Sequence, residues 1–182
     1  IPCRDEANTI GGLVTLAKNA LGGPNGLVDE IIVLDDRSID GSADVARGAG
    51  ATVVPISEVH EKHGEGRGKG NALWASLIVS KGDIVVWCDA DVTSFEPDWV
   101  TRLVAPLLLD DHNAIVKAHY HRPTELGGGG RTTELVARPL LSLFYPELAD
   151  LHQPLAGEYA VRRSAMADIP FVQGWGVEIA ML

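Results

Sequence analysis

A chain of 182 residues with 46% hydrophobic and 22% charged residues is the size of one domain and has enough apolar material for a real core. The formal net charge of -10 argues against nonspecific nucleic-acid binding, which needs a basic footprint, yet leaves room for a local positive pocket that holds an anionic ligand. There is no signal peptide and no apolar run of about 18 residues, so a membrane span is unsupported and the cytoplasm is the expected compartment.

Ile1-Pro2-Cys3 reads as the last residues of a first strand, followed by the polar Arg4-Asp5-Glu6. Asn8-Thr9 is placed to cap a helix over Ile10–Leu21, which Gly22-Gly23-Pro24 stops. Glu30–Leu34 is a β-branched and aliphatic strand ended by Asp35-Asp36. Asp40–Arg47 is a short helix closed by Gly48, and Ala51–Pro55 a third strand. His60–Gly70 reads as a loop rich in Gly, Lys and His that runs into a helix over Asn71–Ser80. Ile84–Cys88 is an unbroken apolar run of the kind a strand covered on both faces shows. Pro97 opens a helix to Leu109, Ala114–Tyr120 is a strand, and Gly127–Gly130 a flexible loop. Thr132–Leu143 looks helical, Glu158–Val161 forms a short strand, and Asp168–Leu182 is loop and then helix. Cys3 and Cys88 both lie in apolar strand-like runs and read as reduced core thiols. Both ends read as cut, since the chain stops at Met181-Leu182 inside a helix.

Strand and helix alternate from residue 1 to about 109, which argues for an α/β fold with a parallel sheet and crossover helices. In such sheets ligands bind beyond the carboxyl ends of the strands. The acidic groups Asp5-Glu6, Asp35-Asp36 and Asp89-Ala90-Asp91 fall at corresponding strand ends. The last group follows a buried strand, and two acids there cannot both be buried and ionised without a cation or strong donors. Hard oxygen ligands beside a diphosphate favour Mg²⁺ or Mn²⁺, against the plainer alternative of a turn cap.

Three other segments carry chemistry. Asp35 to Ser38 serves equally as a capping cluster or as a nucleotide-recognition turn. Gly66-Arg67-Gly68-Lys69-Gly70-Asn71 is basic, allows close backbone approach and opens a helix, but lacks the Ser or Thr of a phosphate loop. Gly127 to Glu134 repeats that logic with Arg131, Thr132 and Thr133, which suits a phosphate or carboxylate of a second substrate. Glu178 lies in an apolar context and suits a base, a sugar-binding group or, most simply, a helix-end charge. His119 and His121 flank Tyr120 on one side of a strand, better read as satisfied polar side chains than as metal ligands.

Together, Pro2-x-x-Asp5-Glu6-x-x-Thr9-Ile10, Val33-Leu34-Asp35-Asp36-x-Ser38-x-Asp40-Gly41 and Asp83-Ile84-Val85 to Asp89-x-Asp91 resemble nucleotide-sugar glycosyltransferases of the GT-A fold. The segments Arg67-Gly68-Lys69-Gly70-x-Ala72-Leu73-Trp74, Gly128 to Leu141, Gln153-Pro154-Leu155-x-Gly157-Glu158-Tyr159-Ala160 and Gly174-x-Gly176-Val177-Glu178-Ile179 are narrower. They resemble glucosyl-3-phosphoglycerate synthases and the related mannosyl-3-phosphoglycerate synthases. The resemblance implies a Rossmann-like, mostly parallel central sheet flanked by helices. It places a nucleotide-sugar half in residues 1–109 and an acceptor half in 110–182 of a single GT-A domain.

It further implies a metal-dependent, retaining transfer of glucose or mannose from a nucleotide diphosphate sugar to the 2-hydroxyl of 3-phosphoglycerate. By similarity Pro2, Arg4, Glu6 and Asp36 hold the nucleotide, with Lys69 near base or phosphate and Asp89-Ala90-Asp91 at the diphosphate. Asp91 is the expected direct metal ligand, Asp89 the second, and a further histidine is expected downstream of Glu178, beyond Leu182. Gly130, Arg131 and Thr133 bind the phosphoglycerate in this reading, and Glu178 lies near the reacting sugar. A homodimer is the expected assembly. Arg4 and Arg37 stand where smaller residues are usual, which leaves the donor base open between uridine and guanosine. The competing readings are an inverting transferase acting on a polyprenyl phosphate or polysaccharide, and a nucleotide-sugar-binding module without turnover.

Overall fold

The computed structural model describes residues 1–120 and 130–182. Its strands form two sheets of three. In the first, β1 (Pro2–Cys3), β2 (Ile32–Asp35) and β3 (Thr52–Pro55) run parallel in that order. Cys3 lies opposite Asp35, and Asp35 opposite Pro55, so the three strands end at one level. The polar turns that follow β1 and β2 therefore open at the same edge.

The helices α1 (Ile10–Leu21) and α2 (Ser42–Ala49) connect these strands and pack on each other. In α1, Ile10, Leu13, Val14, Ala17 and Leu21 share one buried stripe at helical spacing. The hydroxyl of Thr9 does not cap this helix. It donates instead to the carbonyl of Ala90 at 2.6 Å, which ties the first loop to the later acidic triplet. The glycine that ends α2 is Gly50, at φ 101°, and not Gly48. Two further helices, α3 (Ile56–His63) and α4 (Gly68–Val79), occupy most of the segment expected to be a loop. Ile56, Val59 and His60 bury one face of α3 at spacings of three and four.

The second sheet has β4 (Ile84–Trp87) and β5 (Ile115–Lys117) on either side of β6 (Tyr159–Arg162), which is antiparallel to both. The parallel run thus holds for the first three strands, while the late strand inserts in reverse. Trp87 and Lys117 both face Tyr159 across the sheet. The carboxyl ends of β4 and β5 consequently meet the amino end of β6, which brings Asp89 and Glu158 to one edge.

Helix α5 (Asp98–Leu109) covers one face of this sheet through Leu103 and Leu107, which pack with Ala160 of β6. The other face carries Trp87, Tyr159, Val161, Leu73, Val177 and Met181, the last two from α8 (Val177–Ala180) and the residue after it. The indole N–H of Trp87 donates to Ser76 Oγ of α4 at 2.7 Å, so the largest buried side chain leaves no orphan donor. Between them, Thr133–Ala137 forms a π-helical stretch that continues as α6 (Arg138–Phe144), and α7 (Arg163–Met166) follows β6. The loop expected over Gly127–Gly130 and the residue His121 lie outside the described residues, except for Gly130 itself. No described helix is long and apolar enough to cross a membrane.

Candidate active site

Two loops build the edge at the carboxyl ends of β1 and β2, and they are stitched together. Asp5 and Arg37 both adopt left-handed backbone, at φ 57° and 63°. The Asp5 N–H donates to Ser38 Oγ at 3.0 Å, and the Ile39 N–H returns a bond to Asp5 Oδ1 at 2.8 Å. The Glu6 N–H donates to Ser42 Oγ at 2.7 Å and the Ala7 N–H to Asp40 Oδ2 at 2.9 Å. The Ser42 hydroxyl and the Ala7 amide hold the Asp40 carboxyl below the usual carboxylate range. Asp36 is buried, with its Oδ1 4.0 Å from the Arg37 guanidinium and without a hydrogen bond among the described residues, while Arg4 and Arg37 are exposed. Pro2 sits within β1 and Glu6 is half-buried. Burial raises the Glu6 pKa, and Asp91, Asp40 and Asp5 add to the rise, so Glu6 and Asp91 share one acidic field.

The acidic triplet is held by its middle residue. Ala90 packs into the core with Cys3, Ile10 and Val14, so Asp89 and Asp91 flank a buried pivot. Asp91 is exposed and makes no ion pair among the described residues. Asp89 is engaged by Lys69, which stands in the first turn of α4 behind Gly68 at φ 74°. Lys69 Nζ is 2.6 Å from Asp89 Oδ1 and 2.9 Å from Glu178 Oε1, and lies 5.8 Å from the centre of the Trp175 ring. Burial works to lower the Lys69 pKa, but the two carboxylates outweigh it and the net shift is upward. Glu178 stands in the first turn of α8, at a helix end as expected, and is a buried partner in this bridge.

A β-carbon on Gly157 would lie 2.0 Å from Asp89 Oδ2 and 2.8 Å from Lys69 Nζ, so any larger residue there displaces that pair. Beside it Glu158 is buried, and burial raises its pKa, with Asp89 adding to the rise. Lys117, at the end of β5, places Nζ 4.5 Å from the centre of the Tyr159 ring with no hydrogen-bond partner among the described residues. Sequence reasoning passed over Lys117 and gave Glu158 no role. The available signal was a lysine inside the apolar run Ala114-Ile115-Val116-Lys117-Ala118.

Gly130, Arg131 and Thr133 stand at the start of the π-helical stretch, with Gly130 at φ 97°, Arg131 exposed and Thr133 buried. Among the described residues no hydrogen bond or ion pair joins them to the Lys69 group. His119 stacks on His152 at 4.9 Å. No group of three or more His, Cys, Asp or Glu suited to a metal exists among the described residues. A cation at this edge would have the exposed Asp91 and the half-buried Asp89 as candidate oxygens. A groove of about 330 Å³ lined by Ile1, Leu13, Ile31, Val85 and Phe95 lies between the sheets, and neither Lys69, Asp89 nor Glu178 reaches it.

A glucosyl-3-phosphoglycerate synthase of Petrotoga mobilis is 45% identical over 100% of this chain, which spans 58% of that relative. A structure of the Mycobacterium tuberculosis glucosyl-3-phosphoglycerate synthase, in complex with Mn²⁺, UDP-glucose and phosphoglyceric acid, matches with a TM-score of 0.88 at 42% identity, covering 98% of this chain and 60% of that one. A second structure of that enzyme, with the same TM-score, identity and coverage, is in complex with Mg²⁺ and UDP. The sequence profile of glycosyl transferase family 2 matches residues 1–169, and the chain belongs to that family.

Proposed function

We propose that the protein transfers glucose from UDP-glucose to the 2-hydroxyl of 3-phosphoglycerate with retention at the anomeric carbon, with Mg²⁺ or Mn²⁺ as cofactor. The observation that carries the reading is the Lys69 bridge, which couples the acidic triplet after β4 to Glu178 within a buried site. Support comes from the relatives, whose complexes hold UDP-glucose, phosphoglyceric acid and either metal.

In this reading Pro2, Arg4, Glu6 and Asp36 line the uridine end, and Asp91 with Asp89 holds the ion at the diphosphate. The ion supplies Lewis-acid neutralisation of the departing diphosphate. Lys69 fixes Asp89 and Glu178 relative to each other, so the acid near the sugar and the acid near the diphosphate move as one. Gly130, Arg131 and Thr133 take the acceptor phosphate at a helix start, and orienting the acceptor in this way lowers the barrier through proximity.

The test is turnover of UDP-glucose with 3-phosphoglycerate by the whole protein, with product configuration read by NMR. The α-anomer is expected, with loss of activity in chelator and recovery on adding Mg²⁺ or Mn²⁺. Asp91→Ala is expected to abolish the metal-dependent rate. Preference for GDP-mannose, a β-product on a polyprenyl phosphate, or donor binding without transfer would each overturn the reading.

A further inference from the structure

The turn after β2 holds a carboxylate whose hydrogen-bonding capacity the fold leaves unused. Asp36 is 8% exposed, and none of the described residues donates to its Oδ1. A buried carboxylate oxygen without a donor is costly. The cation that approaches it is the neighbouring Arg37, whose Nη1 lies 4.0 Å from that oxygen, beyond hydrogen-bond range. The Arg37 side chain is 55% exposed, so it has room to close that gap.

The backbone beneath it is unusual in the same place. Arg37 holds left-handed backbone at φ 63°, which glycine adopts freely and arginine does not. The bonds that join Ser38 and Ile39 to Asp5 fix the turn in that form. An arginine kept where glycine would be easier, beside an unsatisfied buried acceptor, points to a use for its side chain.

A guanidinium and a carboxylate side by side offer donors next to an acceptor. The base edge that complements them is a carbonyl beside a ring N–H, which uracil presents at O4 and N3. Cytosine has the same ring and size but presents an amino group beside a bare ring nitrogen. Donor would then face donor, and acceptor would face acceptor.

We propose that Arg37 is a specificity-determining residue that selects, together with Asp36, a keto base over an amino base. Asp36 accepts the ring N–H; Arg37 donates to the adjacent carbonyl and, with a second N–H, closes on Asp36 Oδ1. The inference rests on the transfer reading, which places the nucleotide at this turn, and adds the group that tells uracil from cytosine. Guanine presents the same carbonyl and N–H, so this pair leaves the choice between uridine and guanosine to the rest of the pocket.

The test is calorimetry of nucleotide binding to the whole protein in Mg²⁺, with UDP, CDP and N3-methyl-UDP. The parent is expected to bind UDP at least about a hundredfold more tightly than either of the others, since each leaves a buried polar group mispaired. Arg37→Ala is expected to weaken UDP about tenfold or more and CDP less than about threefold, so the preference shrinks. Arg37→Gly is expected to lose the same preference with a melting temperature at or above that of Arg37→Ala, which separates lost recognition from lost folding. A parent that binds UDP and CDP within about threefold of each other, or binds neither, overturns the inference. So does an Arg37→Ala variant that weakens both equally or weakens neither.

This measurement needs no turnover. Selective UDP binding without transfer to 3-phosphoglycerate sinks the transfer reading and leaves the base assignment standing. Turnover of UDP-glucose with the UDP-over-CDP preference intact in Arg37→Ala does the reverse.

Discussion

Removing the Lys69 ammonium leaves Asp89 and Glu178 facing a shared space with no cation between them. Lys69 and Glu178 have side chains only 7% and 6% exposed, so water cannot screen the loss. Breaking a buried pair of this kind costs about 3 kcal/mol or more. Lys69→Met is therefore expected to lower the melting temperature as well as the transfer rate, which calorimetry and a rate assay would show together. The thiols make a second prediction. Burial pushes the Cys88 thiol up to about 12 and raises Cys3 as well, and both are buried. Thiolate is the reactive form, so neither is expected to label with a maleimide at neutral pH until denaturant is added. At this scale the sequence was informative where charge interrupts an apolar run, as at Asp89 and Asp91. It marked Lys117 in the same way, as a charge inside an apolar run, but not its place over Tyr159, which depends on a strand pairing that joins residues far apart in the chain.

Glycines set how closely the elements around the site approach each other. A β-carbon on Gly70 would sit 1.9 Å from the Val172 carbonyl, a backbone atom that cannot swing aside. Gly70→Ala is expected to destabilise the protein by about 1–3 kcal/mol, measured by denaturant unfolding, because α4 must back away from the segment before α8. At Gly157 the clash is with the functional groups themselves. Gly157→Ala is expected to cut the transfer rate on the order of a hundredfold by displacing Asp89 and Lys69. The same glycines explain what the sequence concealed. Gly66, Gly68 and Gly70 mask a helix start, so the segment reads as loop although α4 begins at Gly68. In α3 the buried Ile56, Val59 and His60 are too few for a periodicity to stand out. The reversed direction of β6 was beyond reach, since an apolar run of four residues carries no sign of the direction in which it pairs.

Across the whole molecule, the alternation of strand and helix predicted the first sheet well, because the apolar runs of β1 and β2 end in polar turns at the same edge. The site was less legible, because it joins the ends of strands whose pairing is long-range. Its charges also shape the response to pH. The unfolded Lys117 holds its proton up to about 10.5, whereas the folded one releases it near about 8. Between those values the unfolded state binds more protons, so the Lys117 contribution makes stability rise with pH. Cys3 and Cys88 act in the opposite sense above pH 9.0, since burial keeps them protonated in the fold. The readout is therefore the difference between parent and Lys117→Met, whose stabilities are expected to converge as pH climbs from about 8. The stitched pair of loops after β1 and β2 has a consequence for redesign. Asp5, Glu6 and Ala7 rely on Ser38, Ser42 and Asp40, and Ile39 relies on Asp5. A chimera that imports one loop without the other strands backbone amides, so grafting at this edge requires moving residues 4–9 and 36–42 together as a single cassette.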